Sequence, residues 1–298
     1  MTENNRIKVW LSQIRAPFLI LAMVLVLIGI AAALYEGHFH WGHSILLIIG
    51  VILAHVSVNL FNELSDHHTG IDGNTIRTPF SGGSGMMQSG KTSAAAVSIV
   101  AYSTLMAAAA IGIYFCFIRS WWILVFMIFG GIGIRFYTSR LAKWMIGELF
   151  SGLTLGTFVV LGTFYALTGK IGVEIILVSI PPGILTALLL FLNEFPDAEA
   201  DKTGGRRHLV IYFGKKISSR IYMAGLLMVY VTIIAYLFID KIPDTLLISL
   251  LTLPIAIKAS ITVVKNYDHH KRLVPALGMN ILVVILTDLL LAVGFFIA

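Results

Sequence analysis

Two short acidic words of the form Asn-Glu-x-x-Asp carry the clearest chemical signal in this sequence, at residues 62–66 and 193–197. Of the 15 acidic residues in the chain, seven lie in or just after these words: Glu63, Asp66, Asp72, Glu194, Asp197, Glu199 and Asp201. Carboxylate and carbonyl oxygens suit Mg²⁺, which often bridges one or two carboxylates to substrate phosphates. The words therefore predict a magnesium site with these candidate ligands: Asn62, Glu63, Asp66, Asp72, Asn193, Asp197 and Asp201.

Helical spacing predicts that the first word lines a cavity. His55, Asn59, Asn62 and Asp66 are spaced by four, three and four residues, so they share one helix face. In an apolar helix such a polar stripe faces protein or a water-filled cavity, because exposure to lipid is costly. Hydrogen bonding between helices would equally explain His55 and Asn59. It would not explain the acids, since such bonds need no carboxylate.

The second word differs because it contains a proline. Asn193, Asp197 and Asp201 are four residues apart, but Pro196 disfavours helical backbone at Phe195. We therefore expect the helix to unwind here, so that the first word forms a regular helix face and the second does not. A basic stretch follows: Lys202, Arg206, Arg207, Lys215 and Lys216.

The loop after the first word is a candidate phosphate-binding loop. Its serine and glycine residues at 81–85 could form a backbone nest for phosphate oxygens, with Arg77 as a charged clamp. It lacks the G-x-x-x-x-G-K-[ST] pattern, which excludes a P-loop. Arg15 is either an interfacial anchor or a diphosphate contact, and Glu148 either pairs with a nearby cation or serves the site.

The composition indicates the elements that must position these residues. The chain is 58% hydrophobic and only 12% charged, where about 25% charge is usual for a soluble domain. Nine apolar blocks have membrane-spanning length, roughly 20 residues each, with centres near residues 25, 53, 104, 129, 157, 184, 228, 252 and 286. We predict an all-α polytopic membrane protein, a bundle of nine transmembrane helices around a central cavity, forming a single domain over residues 1–298.

The distribution of basic residues predicts the orientation. One membrane face would carry 18 Lys and Arg, and the other only Arg119, Lys170 and Lys241. The positive-inside rule then places both acidic words and the N-terminus on the cytoplasmic side of the cell membrane. Residues 1–15 have the pattern of an interfacial amphipathic helix. Because the cations sort by membrane side rather than forming a patch, the net charge of +6 indicates the lipid bilayer and not nucleic acid as a partner.

Two carboxylate clusters on one membrane face, beside cations and an apolar cavity, suit a substrate with a diphosphate head and a hydrocarbon tail. A prenyl diphosphate is such a molecule. Departure of its diphosphate, assisted by metal, would leave an allylic cation that a dry aromatic pocket stabilises and an electron-rich acceptor captures.

The sequence resembles the UbiA-type intramembrane prenyltransferases, and the likeness covers nearly the whole chain. It rests on the two Asp-rich motifs of that family: Asn62-x-x-x-Asp66 with Gly70-x-Asp72, and Asn193-Glu-Phe-Pro-Asp197-x-x-x-Asp201-Lys202. The form of these motifs is most similar to the 1,4-dihydroxy-2-naphthoate polyprenyltransferase branch of menaquinone biosynthesis. Two departures are Glu63, where many members have Asp, and His208, where Thr is common.

The resemblance implies roles for particular residues. Mg²⁺ would be held by the Asp motifs, with Asp66 and Asp197 catalytic and a small aromatic acceptor bound near a further catalytic residue, Tyr137. The polyprenyl diphosphate would be gripped by Arg15, Arg77, Arg140 and Lys202. With the polar residues beside them, the expected substrate-binding set is Arg15, Asn59, Arg77, Arg140, Lys143, Glu148 and Lys202.

Other functions remain open at this stage. The acceptor could instead be 4-hydroxybenzoate, a glycerol phosphate ether or haem. A cation-coupled transporter could also use intramembrane acids, although transporters more often hold them at mid-membrane on broken helices. The position of these acids at helix ends favours the enzyme.

Overall fold

The computed structural model describes residues 3–70, 78, 80, 82–136 and 145–298, and every regular element in them is a helix. Eight helical segments are long and apolar enough to cross a membrane, and a ninth apolar helix, Ile123–Phe136, is shorter. These nine segments coincide with the nine predicted apolar blocks. The prediction of an all-α, multi-pass membrane bundle is therefore confirmed.

Most of the helices are joined by short connections, but 24 residues separate the third helix from the fourth. In chain order they are α1 (Glu3–Gln13), α2 (Leu19–Tyr35), α3 (Trp41–Thr69), α4 (Ala94–Ile118), α5 (Ile123–Phe136), α6 (Gly147–Ser151), α7 (Phe158–Thr168), α8 (Val173–Thr203), α9 (Leu209–Ala235), α10 (Leu253–Asn266) and α11 (His270–Phe296). A π-helical turn at Gly152–Thr157 joins α6 to α7, and a 3₁₀ segment at Asp244–Thr252 leads into α10. Helix α3 ends at Gly70, whose φ of 71° is the left-handed geometry that glycine adopts without strain.

Helix α8 corrects one expectation about the second acidic word. It runs unbroken over Val173–Thr203 with Pro196 inside it, so the predicted unwinding at Phe195 is wrong. A proline removes one backbone hydrogen bond and crowds the preceding turn, a local cost of roughly 3 kcal/mol. Tight packing offsets that cost, since Phe195 is completely buried in the core. The consequence is that Asn193, Asp197 and Asp201 form a regular helix face like that of the first word.

Close backbone packing sets the position of α8 against the π-helical turn. A Cβ atom built on Gly156 would lie 2.7 Å from the Cα atom of Gly183 and 2.9 Å from the carbonyl oxygen of Pro182. Only a glycine at position 156 allows this approach. The contact brings the short helix α6, which carries Glu148, alongside the helix that carries the second acidic word.

We expect Gly156→Ala to destabilise the protein by about 1–3 kcal/mol, because the added methyl group meets backbone atoms that cannot rotate away. The thermal unfolding midpoint of the purified protein in detergent measures this. Gly131→Ala in α5 is the matched control: apart from the neighbouring residues and backbone of its own helix, no heavy atom of the described residues lies within 4 Å of its Cβ position, and alanine is the better helix former. Equal midpoints for the two variants would contradict the packing argument.

Candidate metal and diphosphate site

The first acidic word lies at the end of α3 that meets the N-terminal segment. Asn59 is buried and donates from Nδ2 to the carbonyl oxygen of Ile14 at 2.9 Å. Asp66, two turns further along the same face, forms an ion pair with Arg206. Asn59 and Asp66 thus lie on one face of α3, as their spacing predicts. The Asn59 amide is hydrogen-bonded to the backbone of the segment just before α2.

Glu63, a predicted metal ligand, is enclosed by donors from three residues in two segments. Its buried carboxylate accepts from Arg15 Nη2 at 2.9 Å and Nε at 3.2 Å, and from Gln13 Nε2 at 3.1 Å. It also accepts from the backbone N–H of Ser84 at 2.8 Å and the Ser84 hydroxyl at 2.6 Å. Glu63 and Arg15, which we expected to contact metal and diphosphate respectively, are thus paired with each other. Together they fasten the N-terminal segment and the serine- and glycine-rich loop to α3.

The second acidic word contains two buried side-chain oxygen atoms that could bind an ion. Among the described residues, Asn193 Oδ1 and Asp197 Oδ1 are buried atoms with no hydrogen-bond partner. The charged groups that act on Asp197 are Asp201, Arg206, Arg15 and Asp66. The two acidic words, distant in sequence, therefore come within electrostatic reach of each other.

Arg206 connects the two words directly. Its Nη1 atom lies 2.7 Å from Asp201 Oδ1, and its Nη2 atom is paired with Asp66. Sequence reasoning placed this residue in a basic stretch and did not select it as a site residue. The two arginines at 206 and 207 look alike in the sequence, and only the fold distinguishes the half-buried Arg206 from the exposed Arg207. Lys202, which we expected to bind diphosphate, is exposed near the end of α8.

Glu148, predicted to bind substrate, lies beside the second word instead of the first. It is 2% exposed, and its Oε1 atom accepts from the backbone N–H of Leu209 at 2.7 Å. Glu194 and His208 are its neighbours, and the three side chains form a compact buried group. Its contact with the first turn of α9 therefore ties α6 to the loop that carries Arg206.

Five of the predicted site residues lie outside the described part of the chain: Asp72, Arg77, Tyr137, Arg140 and Lys143. Their assigned roles stay predictions.

An apolar cavity lies between α2, α3, α4, α5 and α7, and its volume is about 210 Å³. His55 on α3 is one of its few polar lining residues. On α3 its lining runs from Leu47 to His55. Because His55 precedes Asp66 by 11 positions, the cavity begins roughly 16 Å along the helix axis from Asp66 and extends further away from it. A second pocket of about 540 Å³ lies against the first word and includes Asn62, Tyr102 and Arg135.

The residues present fit a divalent cation of the magnesium type. Asn193 Oδ1 and Asp197 Oδ1 are unpartnered oxygen donors on one helix face, and Asp66 and Asp201 already share a cation in Arg206. Such a set of carboxylate and amide oxygens is the donor chemistry of a hard cation.

A bundle of membrane helices with paired acidic words defines the class, and comparison with known proteins identifies the family. The model of the UbiA prenyltransferase family matches residues 22–284, so the chain belongs to that family and is a prenyltransferase. It is 28% identical over 258 residues to the 1,4-dihydroxy-2-naphthoate octaprenyltransferase of Bacillus subtilis (strain 168), covering 85% of this chain and 82% of that protein.

Solved structures show the same fold. The apo structure of a UbiA homolog from Aeropyrum pernix K1 superposes with a TM-score of 0.72 at 16% identity, covering 94% of this chain and 98% of that one. A UbiA homolog from Archaeoglobus fulgidus bound to DMAPP and Mg²⁺ gives a TM-score of 0.64 at 14% identity, covering 95% and 99%. The membrane bundle of this chain is therefore the fold of the family.

Proposed function

We propose that this enzyme transfers a polyprenyl group from a prenyl diphosphate to an aromatic acceptor in a Mg²⁺-dependent reaction. The main observation behind the proposal is that Asp66 and Asp201 both form ion pairs with Arg206. Side-chain oxygen atoms of Asn193 and Asp197 that have no hydrogen-bond partner among the described residues lie on the same helix as Asp201. An apolar cavity for a hydrocarbon chain lies along the same helix as Asp66. The fold likeness to a homolog bound to DMAPP and Mg²⁺ supports both the diphosphate and the ion.

In this reaction the C–O bond between the prenyl carbon and the diphosphate breaks, and the electron pair leaves with the diphosphate. The positive charge that stabilises the leaving oxygen atoms would come from Mg²⁺ when it is bound. Asp66, Asp197 and Asp201, with the amide oxygen of Asn193, would hold the ion, and Arg206 lies where it can move from the carboxylates to the diphosphate as the substrate enters. The low-dielectric helix bundle excludes water, which protects the allylic carbon from hydrolysis.

We propose 1,4-dihydroxy-2-naphthoate as the acceptor, in the pathway to menaquinone. Its electron-rich ring carbon would form the new C–C bond as the ring loses its carboxyl group as carbon dioxide. The similarity to the naphthoate octaprenyltransferase of B. subtilis supports this choice. We further propose that the acidic words and the N-terminus face the cytoplasm in the cell membrane, because nearly all Lys and Arg residues belong to that side.

Purified protein, a labelled polyprenyl diphosphate and a panel of acceptors test the function. With Mg²⁺ we expect prenylated naphthoate, and with chelator no product. Prenylation of 4-hydroxybenzoate, a glycerol phosphate ether or haem in place of naphthoate would overturn the acceptor but keep the reaction. No product with any acceptor would overturn the function.

Arg206→Gln should separate metal binding from substrate binding. Without Arg206 the carboxylates lose a competing cation, so Mg²⁺ alone should bind about tenfold more tightly, a change of about 1.4 kcal/mol. The KM for the prenyl diphosphate should rise by a similar factor, because a cation for the diphosphate is gone. Mg²⁺ titration by calorimetry and steady-state kinetics measure the two effects.

Arg207→Gln is the control for Arg206→Gln, since it removes the same charge from the exposed neighbour. It should change both quantities less than twofold. Weaker Mg²⁺ binding in Arg206→Gln would show that the arginine supports the ion site instead of competing with it.

A further inference from the structure

A second cluster of potential ligands lies next to the paired acidic words and has a different donor chemistry. Glu148 on α6, Glu194 on α8 and His208 before α9 each offer one ligand atom, and these atoms all lie within 4.8 Å of one another. The three residues are 2%, 8% and 2% exposed. Carboxylates and an imidazole from three separate segments thus converge inside the protein.

Each side chain of this cluster has one nitrogen or oxygen atom without a hydrogen-bond partner among the described residues. Among the described residues, Glu148 Oε2, Glu194 Oε2 and His208 Nδ1 are buried and unsatisfied. His208 Nδ1 lies 3.4 Å from Glu194 Oε2, too poorly aligned for a hydrogen bond. Each such atom costs roughly 1–3 kcal/mol if nothing satisfies it. A ligand between the three atoms would remove that cost.

In two of these side chains the other polar atom has a partner within hydrogen-bonding distance, as is usual for metal ligands. Glu148 Oε1 accepts from the N–H of Leu209 at 2.7 Å, so its Oε2 atom is the one turned inward. His208 Nε2 lies 3.2 Å from Asp201 Oδ2. A proton on Nε2 would donate to that carboxylate and leave the Nδ1 lone pair facing the cluster. Ligating histidines usually have such a carboxylate behind them, which orients the ring and raises its basicity.

We propose that Glu148, Glu194 and His208 bind a divalent transition-metal ion of the Zn²⁺ class, separate from the Mg²⁺ of the acidic words. An imidazole nitrogen suits Zn²⁺ and related ions, whereas Mg²⁺ prefers an all-oxygen shell. Zinc bonds of about 2.0–2.1 Å put tetrahedral ligands about 3.4 Å apart. The measured distance from His208 Nδ1 to Glu194 Oε2 already has that value. Side-chain rotation can bring in the third ligand.

The ion would join α6, α8 and the start of α9 at the loop that holds Arg206. Through His208 and Asp201 it would also fix one of the two carboxylates to which Arg206 is bound. Its role is thus to position the loop and Asp201, and it takes no part in the group transfer.

Metal content of the purified full-length protein tests the proposal without any prenyl substrate, so its outcome does not depend on the proposed function. The protein is stripped with chelator, equilibrated with Zn²⁺ in excess Mg²⁺, and measured by plasma mass spectrometry. We expect about one more zinc ion per chain in the wild type than in His208→Gln or Glu194→Gln. X-ray absorption at the zinc edge should show one imidazole among the ligands in the wild type, and the unfolding midpoint should rise on Zn²⁺ addition.

Two controls separate this site from others. Asp66→Asn alters the acidic words but should retain the zinc ion, and His67→Ala/His68→Ala removes exposed imidazoles without changing the zinc count of the buried site. Equal zinc content in the wild type, His208→Gln and Glu194→Gln would overturn the proposal, as would a zinc spectrum with oxygen ligands only. The unsatisfied atoms would then belong to a metal-free, proton-sharing network.

Discussion

Asp66→Asn and Asp197→Asn should each reduce prenyl transfer about a thousandfold, which corresponds to about 4 kcal/mol of transition-state stabilisation. Each change keeps the size of the side chain and removes one negative charge from the group that would hold the divalent ion. Asp197 is the more informative of the two, because its Oδ1 atom has no hydrogen-bond partner among the described residues. That atom is therefore available to bind an ion.

Steady-state kinetics at several Mg²⁺ concentrations measures the effect and identifies its cause. If the carboxylates hold the ion, both variants should need more Mg²⁺ for half-maximal rate. Glu199→Gln is the matched control, since it neutralises an exposed acid two residues from Asp197 on the same helix and should leave the rate within twofold. Near-normal activity of both asparagine variants would refute the assignment of the acidic words.

Spacing and hydropathy were sufficient to predict the helices and the position of both words at helix ends. These predictions depend on local periodicity, which can be seen in a single sequence. The proline argument failed at Phe195 for the opposite reason: the outcome depended on burial in the core, and tertiary packing outweighed a local preference. A sequence shows the preference but not the packing.

The ion pairs between side chains on different helices and loops could not be predicted from the sequence. Nothing in the sequence distinguishes the arginine that bridges Asp66 and Asp201 from its exposed neighbour, because the difference arises from where the loop after α8 returns. His208 was noticed only as a departure from a family pattern, whereas the structure places it against Glu194 and Asp201. Long-range ion pairs of this kind follow from topology, not from motif spacing.

Glu63 was predicted to bind the metal, and that role stays a prediction, but its contacts in the structure are those of a residue that fastens neighbouring segments. Within each word the glutamate is turned around the helix axis by about 100° from the asparagine and about 60° from the aspartate, so it lies to one side of the face that those two residues share. In the first word that direction leads to Arg15, Gln13 and Ser84. In the second it leads Glu194 to His208. We therefore propose two roles for the shared motif: its asparagine and aspartate would hold the divalent ion, and its glutamate would fasten a neighbouring segment.

Glu63→Gln and Arg15→Gln should each destabilise the protein by about 3 kcal/mol, because each leaves a buried or half-buried charge without its partner. Glu63 has no exposed side-chain surface and Arg15 has 27%, so Arg15→Gln leaves the more deeply buried charge uncompensated. The double variant should lose less than the sum of the two, since it removes both charges. Thermal or detergent unfolding of the wild type, the two single variants and the double variant measures this double-mutant cycle. Lys8→Gln, on the exposed side of α1, controls for the loss of a charge near the N-terminus.

The same variants distinguish the two roles considered for Glu63. If Glu63 is a metal ligand, its neutralisation should weaken Mg²⁺ binding by at least about tenfold, whatever its effect on the stability of the protein. A fastening residue should leave the Mg²⁺ affinity of the folded protein within about threefold while the unfolding midpoint falls. Because five hydrogen bonds already reach the Glu63 carboxylate, coordination would require breaking several of them. We therefore expect nearly unchanged Mg²⁺ affinity and a lower unfolding midpoint. Additive stability losses in the Glu63/Arg15 double-mutant cycle, together with weaker Mg²⁺ binding, would instead support Glu63 as a metal ligand.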